Sequence, residues 1–563
     1  MATVPHVHAY VDELKAQYKN KTISRRQFIR NMVFLGVAVP AALTIAGCDE
    51  TKDDANDPST NQGKIGGYVA FSMNIPSLLY PHQIQTVHGA NILRLVTDAL
   101  IRINSKNLPV PWLLEKWEVS EDLRSWTFYL RPSIYWSNGE ELSVDHIIWN
   151  IHRWLDVRLN SSMLPLMASY MLEQSAGSIT GTNNNPENQY RLWSNNAIQR
   201  INSHTFRINT KLPQISLPEH LAFYGAYILH PADGGEFKID MLGTGPYRLI
   251  DFAPGRYVIF KRRPDFWEKP AKIDTIEISD FTDDPARSLQ VLADQQIDGM
   301  QELNLNQYST VLKMPYLKIA RADSAQTGLL RMLMVHPLCQ DPKLRKAMRL
   351  VLDNQKLLQI GYNGLGIAAE HHHVCQTHPD YAATAPFRAN IDEAKELMRQ
   401  AGYSRGFNTE ILCRQNVEWE MLTTQAIAQM WKEINITVTV RPQPSLVFNQ
   451  AINSNDYPFA FVAWPHRPLG IMTLNMSYRS HVPGNITQFS NIRLDEMLDK
   501  AGGILNPKER SNQMRDIELL MQDEGPICQP FWLSIYAVMN KRVQNFELHP
   551  AGYIFPETWW VNT

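Results

Sequence analysis

No charge of one sign dominates this chain: 54 Lys and Arg face 56 Asp and Glu, a net charge of −2. A surface that binds nucleic acid needs a basic excess, so that partner class is excluded. Cysteine is scarce, five residues in 563. Cys339, Cys375, Cys413 and Cys528 are too widely spaced for a zinc ribbon; an even number permits two disulfides without assigning them. There is no Gly-x-Ser-x-Gly elbow and no His-Glu-x-x-His helix, which removes the common hydrolase signatures. Gly243-Thr244-Gly245-Pro246 lacks the Lys-Ser/Thr of a phosphate loop and precedes a strand-like stretch, so it reads as a rigid turn. The adjacent acids Asp283 and Asp284 stand before Pro285 and read as a helix cap, not as a general acid/base couple. The apolar run from Met32 to Ala46 contains Gly36 and Pro40 and is shorter than the roughly twenty residues a bilayer core requires.

What the N-terminus does contain is an export pattern. Ser24-Arg25-Arg26-Gln27-Phe28 precedes the short apolar run, and Ile45-Ala46-Gly47-Cys48 follows it. The first resembles a twin-arginine motif and the second a lipobox. Residues 1–47 are therefore expected to be a twin-arginine-type lipoprotein signal peptide, with Cys48 carrying the lipid. Residues 48–65 are polar and acidic and cannot bury enough surface to order themselves, so they read as a flexible tether. The expected location is periplasmic or extracytoplasmic, lipid-anchored to a membrane.

Beyond the tether, local signals alternate. Trp126, Phe128 and Leu130 point one way and Thr127 and Tyr129 the other, a half-buried strand. Ser143 caps a helix after the Asn138-Gly139 turn, and Asp341-Pro342 and Asn390 with Glu393 open two more. Residues 409–414, an amphipathic helix near 419–433 and residues 436–442 predict a β-α-β unit with a parallel strand pair. Alternation of this kind gives α/β lobes.

Four blocks then carry a resemblance. "LVTDALIRINSKNLPVPWLLEKWEVSEDLRSWTFYLRPSIYWSNGEELSVDHIIWNIHRWLD" (95–156), "GTGPYRLIDFAPGRYVIFKRRPDFWEKPAKIDTIEI" (243–278), "DPKLRKAMRLVLDNQKLLQIGYNG" (341–364) and "NIDEAKELMRQAGY" (390–403) occur in order. Together they resemble extracellular solute-binding proteins of the oligopeptide/dipeptide/nickel class, from about residue 66 to the C-terminus. The resemblance implies a two-lobed, class II-like periplasmic-binding-protein fold of the α/β class with an extra inserted domain. It implies domain I at 66–107, 212–325 and 527–563, domain II at 108–211, and domain III at 326–526. It implies a monomer that captures a small-molecule ligand by hinge closure on a cleft between lobes and delivers it to an ABC transporter permease in the inner membrane. It implies no enzyme and no cofactor, although a metal or metal chelate could be the ligand. Docking to a membrane receptor instead of a permease is the alternative binding role.

The family's peptide-binding members follow a Trp, three positions on, with an aspartate that pairs with the ligand's α-ammonium. Here the Trp is Trp464 and the third residue after it is Arg467, in "AFVAWPHRPLG" (460–470). A ligand ammonium about 4 Å from a guanidinium is repelled by roughly 4 kcal/mol at an effective dielectric near 20. An ordinary free-amino peptide then fits only if Glu370 or Asp380 supplies the missing acid. Arginine offers a planar fork suited to carboxylate or phosphate, and His466 adds a donor. The expectation is an anionic ligand: carboxylate-bearing, opine-like, a sugar phosphate or an anionic metal chelate. The competing account places Arg467 outside the cleft, paired with an acid of its own lobe. Arg479, His481 and Tyr80 are secondary contact candidates.

"EHHHVCQTHPDY" (370–381) is the other conspicuous stretch. His371, His373, Cys375 and His378 are donors suited to a borderline or soft metal. On a strand His371 and His373 would share a face. Direct metal binding, contact of His371, His372 and His373 with an anionic ligand or chelate, and a plain polar loop stay open. A metal-dependent hydrolase built on these residues is the enzyme alternative.

Overall fold

A computed structural model of the chain describes Lys19 and residues 65–174, 190–452, 454, 456–482, 484–504 and 507–562. Apart from Lys19 and Ile65, the expected signal and tether, Cys48 included, lie outside the described residues. Contacts divide the chain into two compact units, Met1–Ala322 with Tyr536–Thr563, and Asp323–Ile535. The second unit thus runs 323–535 where 326–526 was expected. No helix among the described residues is long and apolar enough to cross a membrane.

The first unit contains a mixed sheet in the order Tyr247–Ala253, Tyr257–Arg262, Thr275–Ser279, Tyr68–Ser72, Gly299–Met300 and the end of Ile527–Asn540. Tyr68–Ser72 runs parallel to both its neighbours. A separate antiparallel sheet joins Leu114–Val119, Ser125–Leu130, Thr205–Asn209 and Ile198–Arg200, all within 108–211. In Ser125–Leu130 the expected alternation is found: Trp126, Phe128 and Leu130 are buried, with Phe128 stacked on Phe206. The Gly-Thr-Gly turn is a packing device. A Cβ on Gly243 would stand 1.9 Å from the Val96 carbonyl oxygen, and one on Gly245 would stand 2.5 Å from the Val96 carbonyl carbon. Asp284 accepts from the Arg287 amide at 3.0 Å and caps Pro285–Ala293.

The second unit is built on the first part of Ile527–Asn540, then the end of Leu317–Met332, Phe459–Trp464, Phe407–Arg414 and Ile436–Gln443 in that order. Phe407–Arg414 and Ile436–Gln443 are parallel and joined through the helix Glu418–Trp431, the crossover unit expected. The caps expected at Asp341 and Asn390 are present: Asp341 accepts from Lys343 N at 2.8 Å and Asn390 from Glu393 N at 3.1 Å. The helix Pro342–Leu350 then sends two buried guanidinium groups to one turn. Arg345 Nη2 donates to the Glu524 carbonyl at 2.5 Å, and Arg349 donates to Asp523 at 2.7 Å and Gly525 at 2.6 Å. These carbonyls close the helix Pro507–Glu524, where a cation also meets the negative end of the helix dipole. The four described cysteines are buried free thiols, so neither permitted disulfide is formed.

Candidate functional site

The strand Phe459–Trp464 is paired on both edges, Thr327 lying opposite Trp464 and Phe459 beside Ile411. Its buried run, 459–462, is followed by exposed Ala463 and half-buried Trp464, and Pro465 to Leu469 lead into the helix Gly470–Ser477. Leu469 precedes that helix and has no side-chain oxygen to cap it. The cap comes from elsewhere in the chain: Asp380 accepts from Gly470 N at 3.0 Å and Ile471 N at 3.1 Å. A carboxylate on the first amides of a helix is stabilised by both the hydrogen bonds and the dipole. Asp380 is 1% exposed.

Glu370, the other acid considered for a ligand amine, also faces inward. Its Oε2 accepts from His372 Nε2 at 3.1 Å and from the Tyr381 hydroxyl at 2.9 Å. Burial works against its charge, but His372 and Tyr381 outweigh burial and hold the carboxyl below its usual range. On the facing helix Glu518 accepts from Ala382 N at 3.1 Å. Burial, reinforced by the charges of Asp380 and Glu370, pushes Glu518 up to about 9, so it is a neutral acid at physiological pH.

Around Trp464 the wall is aromatic and imidazole-rich. His373 meets Trp464, Tyr478 and Trp532 at ring separations of 5.6, 5.6 and 5.8 Å, and its Nδ1 lies 2.6 Å from the Tyr478 hydroxyl. Burial, with the nearby charges of His378, His372 and Arg467, keeps His373 well below the ordinary histidine value. His466 Nδ1 accepts from Ala325 N at 3.0 Å. Arg467 is buried, and its Nη1 donates to the His466 carbonyl at 2.9 Å. His378 accepts from Cys375 N at 2.9 Å on Nδ1, and its Nε2 lies 3.0 Å from the Arg467 carbonyl oxygen.

The metal set His371, His373, Cys375 and His378 is not what the fold assembles, and the shared strand face is absent. His371 and His373 both adopt left-handed φ, +64° and +60°, which breaks any strand between them. His371 turns to Gln529, whose amide donates to Nδ1 at 2.8 Å, and to Phe387, 4.2 Å away by ring centroid. Cys375 packs with Ala325, Ala369 and Trp532, and burial pushes its thiol up to about 11. An imidazole whose Nδ1 accepts a backbone N–H carries its own proton on Nε2, and so offers a donor there instead of a metal lone pair. His372 and His378 are held this way, His372 by Val374 N at 3.2 Å, while His371 has the Gln529 amide on Nδ1 and the Asn354 side-chain nitrogen 3.1 Å from Nε2.

Among the described residues the one group with three convergent ligand atoms is in the first unit: Glu140, His146 and His230. Glu140 accepts from His146 Nε2 at 3.1 Å and from His230 Nε2 at 3.0 Å. Their Nδ1 atoms accept from Ser143 N and Ala232 N, both at 3.1 Å. The same proton argument applies, so this is a carboxylate clasped by two N–H donors.

Arg479 donates to Asn475 and forms an ion pair with Asp499 at 2.7 Å. Neighbouring His481 is exposed with left-handed φ. Tyr80 is exposed and belongs to the first unit, where its carbonyl starts the turn Pro81–Gln83. Residues that the sequence did not single out complete the wall: Tyr478, Trp532 and Gln529. Gln529 accepts from His373 N at 2.9 Å and donates to Thr327 at 3.0 Å. No spacing rule links position 529 to 373.

The family model for bacterial extracellular solute-binding proteins, family 5, matches residues 109–482. The chain belongs to that family: it is an α/β solute-binding protein, not an enzyme. Heme-binding protein A of Haemophilus influenzae is 18% identical over 91% of this chain and 96% of its own length. The periplasmic binding protein DppA from Helicobacter pylori, solved with the peptide STSA, superposes with a TM-score of 0.74 at 18% identity, over 89% of this chain and 99% of that one. AgaA from A. tumefaciens R10, solved with agropinic acid, gives 0.73 at 17% identity over the same shares.

Proposed function

We propose that the protein captures a small anionic or carboxylate-bearing solute outside the inner membrane and hands it to an ABC permease, after twin-arginine export and lipid anchoring through Cys48. The observation that carries the ligand class is the exchange at the strand end. Arg467 stands where the family resemblance places an aspartate in peptide-binding members, and the two acids that could have replaced it are committed to other work, Asp380 capping a helix and Glu370 holding His372 and Tyr381. The wall beside Trp464 therefore carries a guanidinium set among imidazoles, with neither of those carboxylates committed to an amine. It suits an acceptor-rich guest better than an ammonium. The agropinic acid complex of AgaA supports this reading, since the same fold there holds an organic acid.

The test has two arms. Native mass spectrometry of protein purified from its own host identifies the retained solute. Calorimetry with that solute on Arg467→Ala and Arg467→Lys then measures the contribution of the guanidinium. Arg467→Ala is expected to lose roughly 2–4 kcal/mol of binding, the range for removing one partner of a buried charge pair. Arg467→Lys should fold normally and recover only part of that, because an ammonium lacks the planar fork. Unchanged affinity in Arg467→Ala, or a retained cationic solute, ends the anionic reading and leaves the capture role standing.

A further inference from the structure

We propose that Arg331 is the cation of a second, fully enclosed site in the unit Asp323–Ile535, and that the site takes a small monatomic anion of the halide class. Arg331 sits on the strand Leu317–Met332 opposite Ala460 and is 0% exposed. Its Nε, Nη1 and Nη2 are all buried without a hydrogen-bond partner among the described residues. A guanidinium has five N–H donors and no acceptor, and it does not relieve its burial by losing a proton. Leaving such a group unsatisfied is among the costliest arrangements a core can contain.

Its neighbours make the contrast plain. Arg345 and Arg349 lie in the same unit and are also buried, but each places both Nη atoms on main-chain carbonyls, and only the Arg349 Nε lacks a partner among the described residues. No carboxylate among the described residues forms an ion pair with Arg331. The ionisable group that its charge reaches is the thiol of Cys339, which donates weakly to the Pro458 carbonyl at 3.6 Å. Burial pushes that thiol up to about 12, so it supplies no negative charge at physiological pH. Something other than this chain's acids has to meet the guanidinium. Complete enclosure favours the smallest anion. A halide sheds its water more readily than sulfate or phosphate and needs no second set of oriented donors.

An anion held in the folded state and not in the unfolded chain stabilises by mass action. The full-length protein, unfolded and refolded in sodium chloride or in sodium gluconate of equal ionic strength, is the material to melt. From about 10 to about 500 mM salt, the wild type should gain about 2–5 °C more in chloride than in gluconate. Arg331→Met, which keeps length and removes charge, should show no such difference. Equal responses in wild type and variant, or none in the wild type, overturn the site. Should Arg331→Met fail to fold, crystals of the wild type grown in bromide decide the matter. An anomalous peak within about 3.5 Å of the guanidinium nitrogens supports the proposal, and ordered water alone at that position overturns it.

Discussion

The stretch His371–His378 and the group Glu140, His146 and His230 are two places among the described residues where imidazoles gather, one in each unit. The first is written in consecutive residues and comes apart on folding. His371 turns to Gln529, His372 to Glu370, His373 to Tyr478, and His378 to the carbonyl of Arg467. The second is scattered along the chain and converges on one carboxylate. At His372 and His378 in the first group, and at His146 and His230 in the second, what fixes the chemistry is the backbone amide that meets Nδ1. Once that position accepts a hydrogen bond, Nε2 keeps its proton and the ring becomes a donor. Proximity along the chain says little about this, and even convergence in space does not make a metal site.

The comparison can be broken first at His371. Its ring packs on Phe387 and accepts the Gln529 amide, so His371→Ala removes buried volume and strands a donor. A loss of about 3–5 kcal/mol of unfolding free energy is expected in urea. A loss under about 1 kcal/mol would place the ring in a role that solvent can replace.

Acid sharpens the contrast next. His371 and His373 are held well below the ordinary histidine value of 6.5, in each case chiefly by burial. Protonation therefore favours the unfolded chain. Their contribution to stability is complete above about pH 6.5 and falls as the pH drops toward the folded values, by at most about 1.4 kcal/mol per pH unit for each ring. His146 is lowered as well, mainly by burial, but Glu140 opposes the shift. Melting curves between pH 7 and pH 5 should flatten more for His371→Phe with His373→Phe than for His146→Phe. An equal change in both would dissolve the distinction between the two groups.

The smallest effect belongs to the clasp. Glu140 is half exposed at its side chain, 49%, so Glu140→Gln should cost about 1 kcal/mol or less. Zinc titrated into the wild type should give no heat that Glu140→Gln or His373→Ala removes. A micromolar zinc site lost in either variant would restore that group as a metal centre.

How much of this was legible in the sequence follows from how local each device is. The caps at Asp341 and Asn390, the strand around Trp126 and the crossover from residue 407 to 443 depend on neighbours a few positions apart, and periodicity and capping chemistry reveal such things. The family blocks were also readable, and with them the α/β class. The surroundings of Arg467 were not. The helix that follows it is capped by Asp380, and the site wall is completed by Gln529 and Trp532, partners that only the folded sheet brings near. The left-handed conformations of His371 and His373 were missed for another reason. Positive φ is uncommon for any residue but glycine, and although histidine tolerates it better than most, no turn pattern in "HHH" marks which ring takes it.

The contact between the Gly-Thr-Gly turn and Val96 has a consequence for how such motifs spread and are misread. Two positions there admit hydrogen and nothing larger, because a carbonyl from a distant helix end already fills the volume. Substitution scanning should show them as intolerant as any ligand contact, with even alanine rejected, although what fills the space is main chain. A glycine pattern that looks like a cradle for phosphate can be kept simply because two stretches of main chain lie flush against each other.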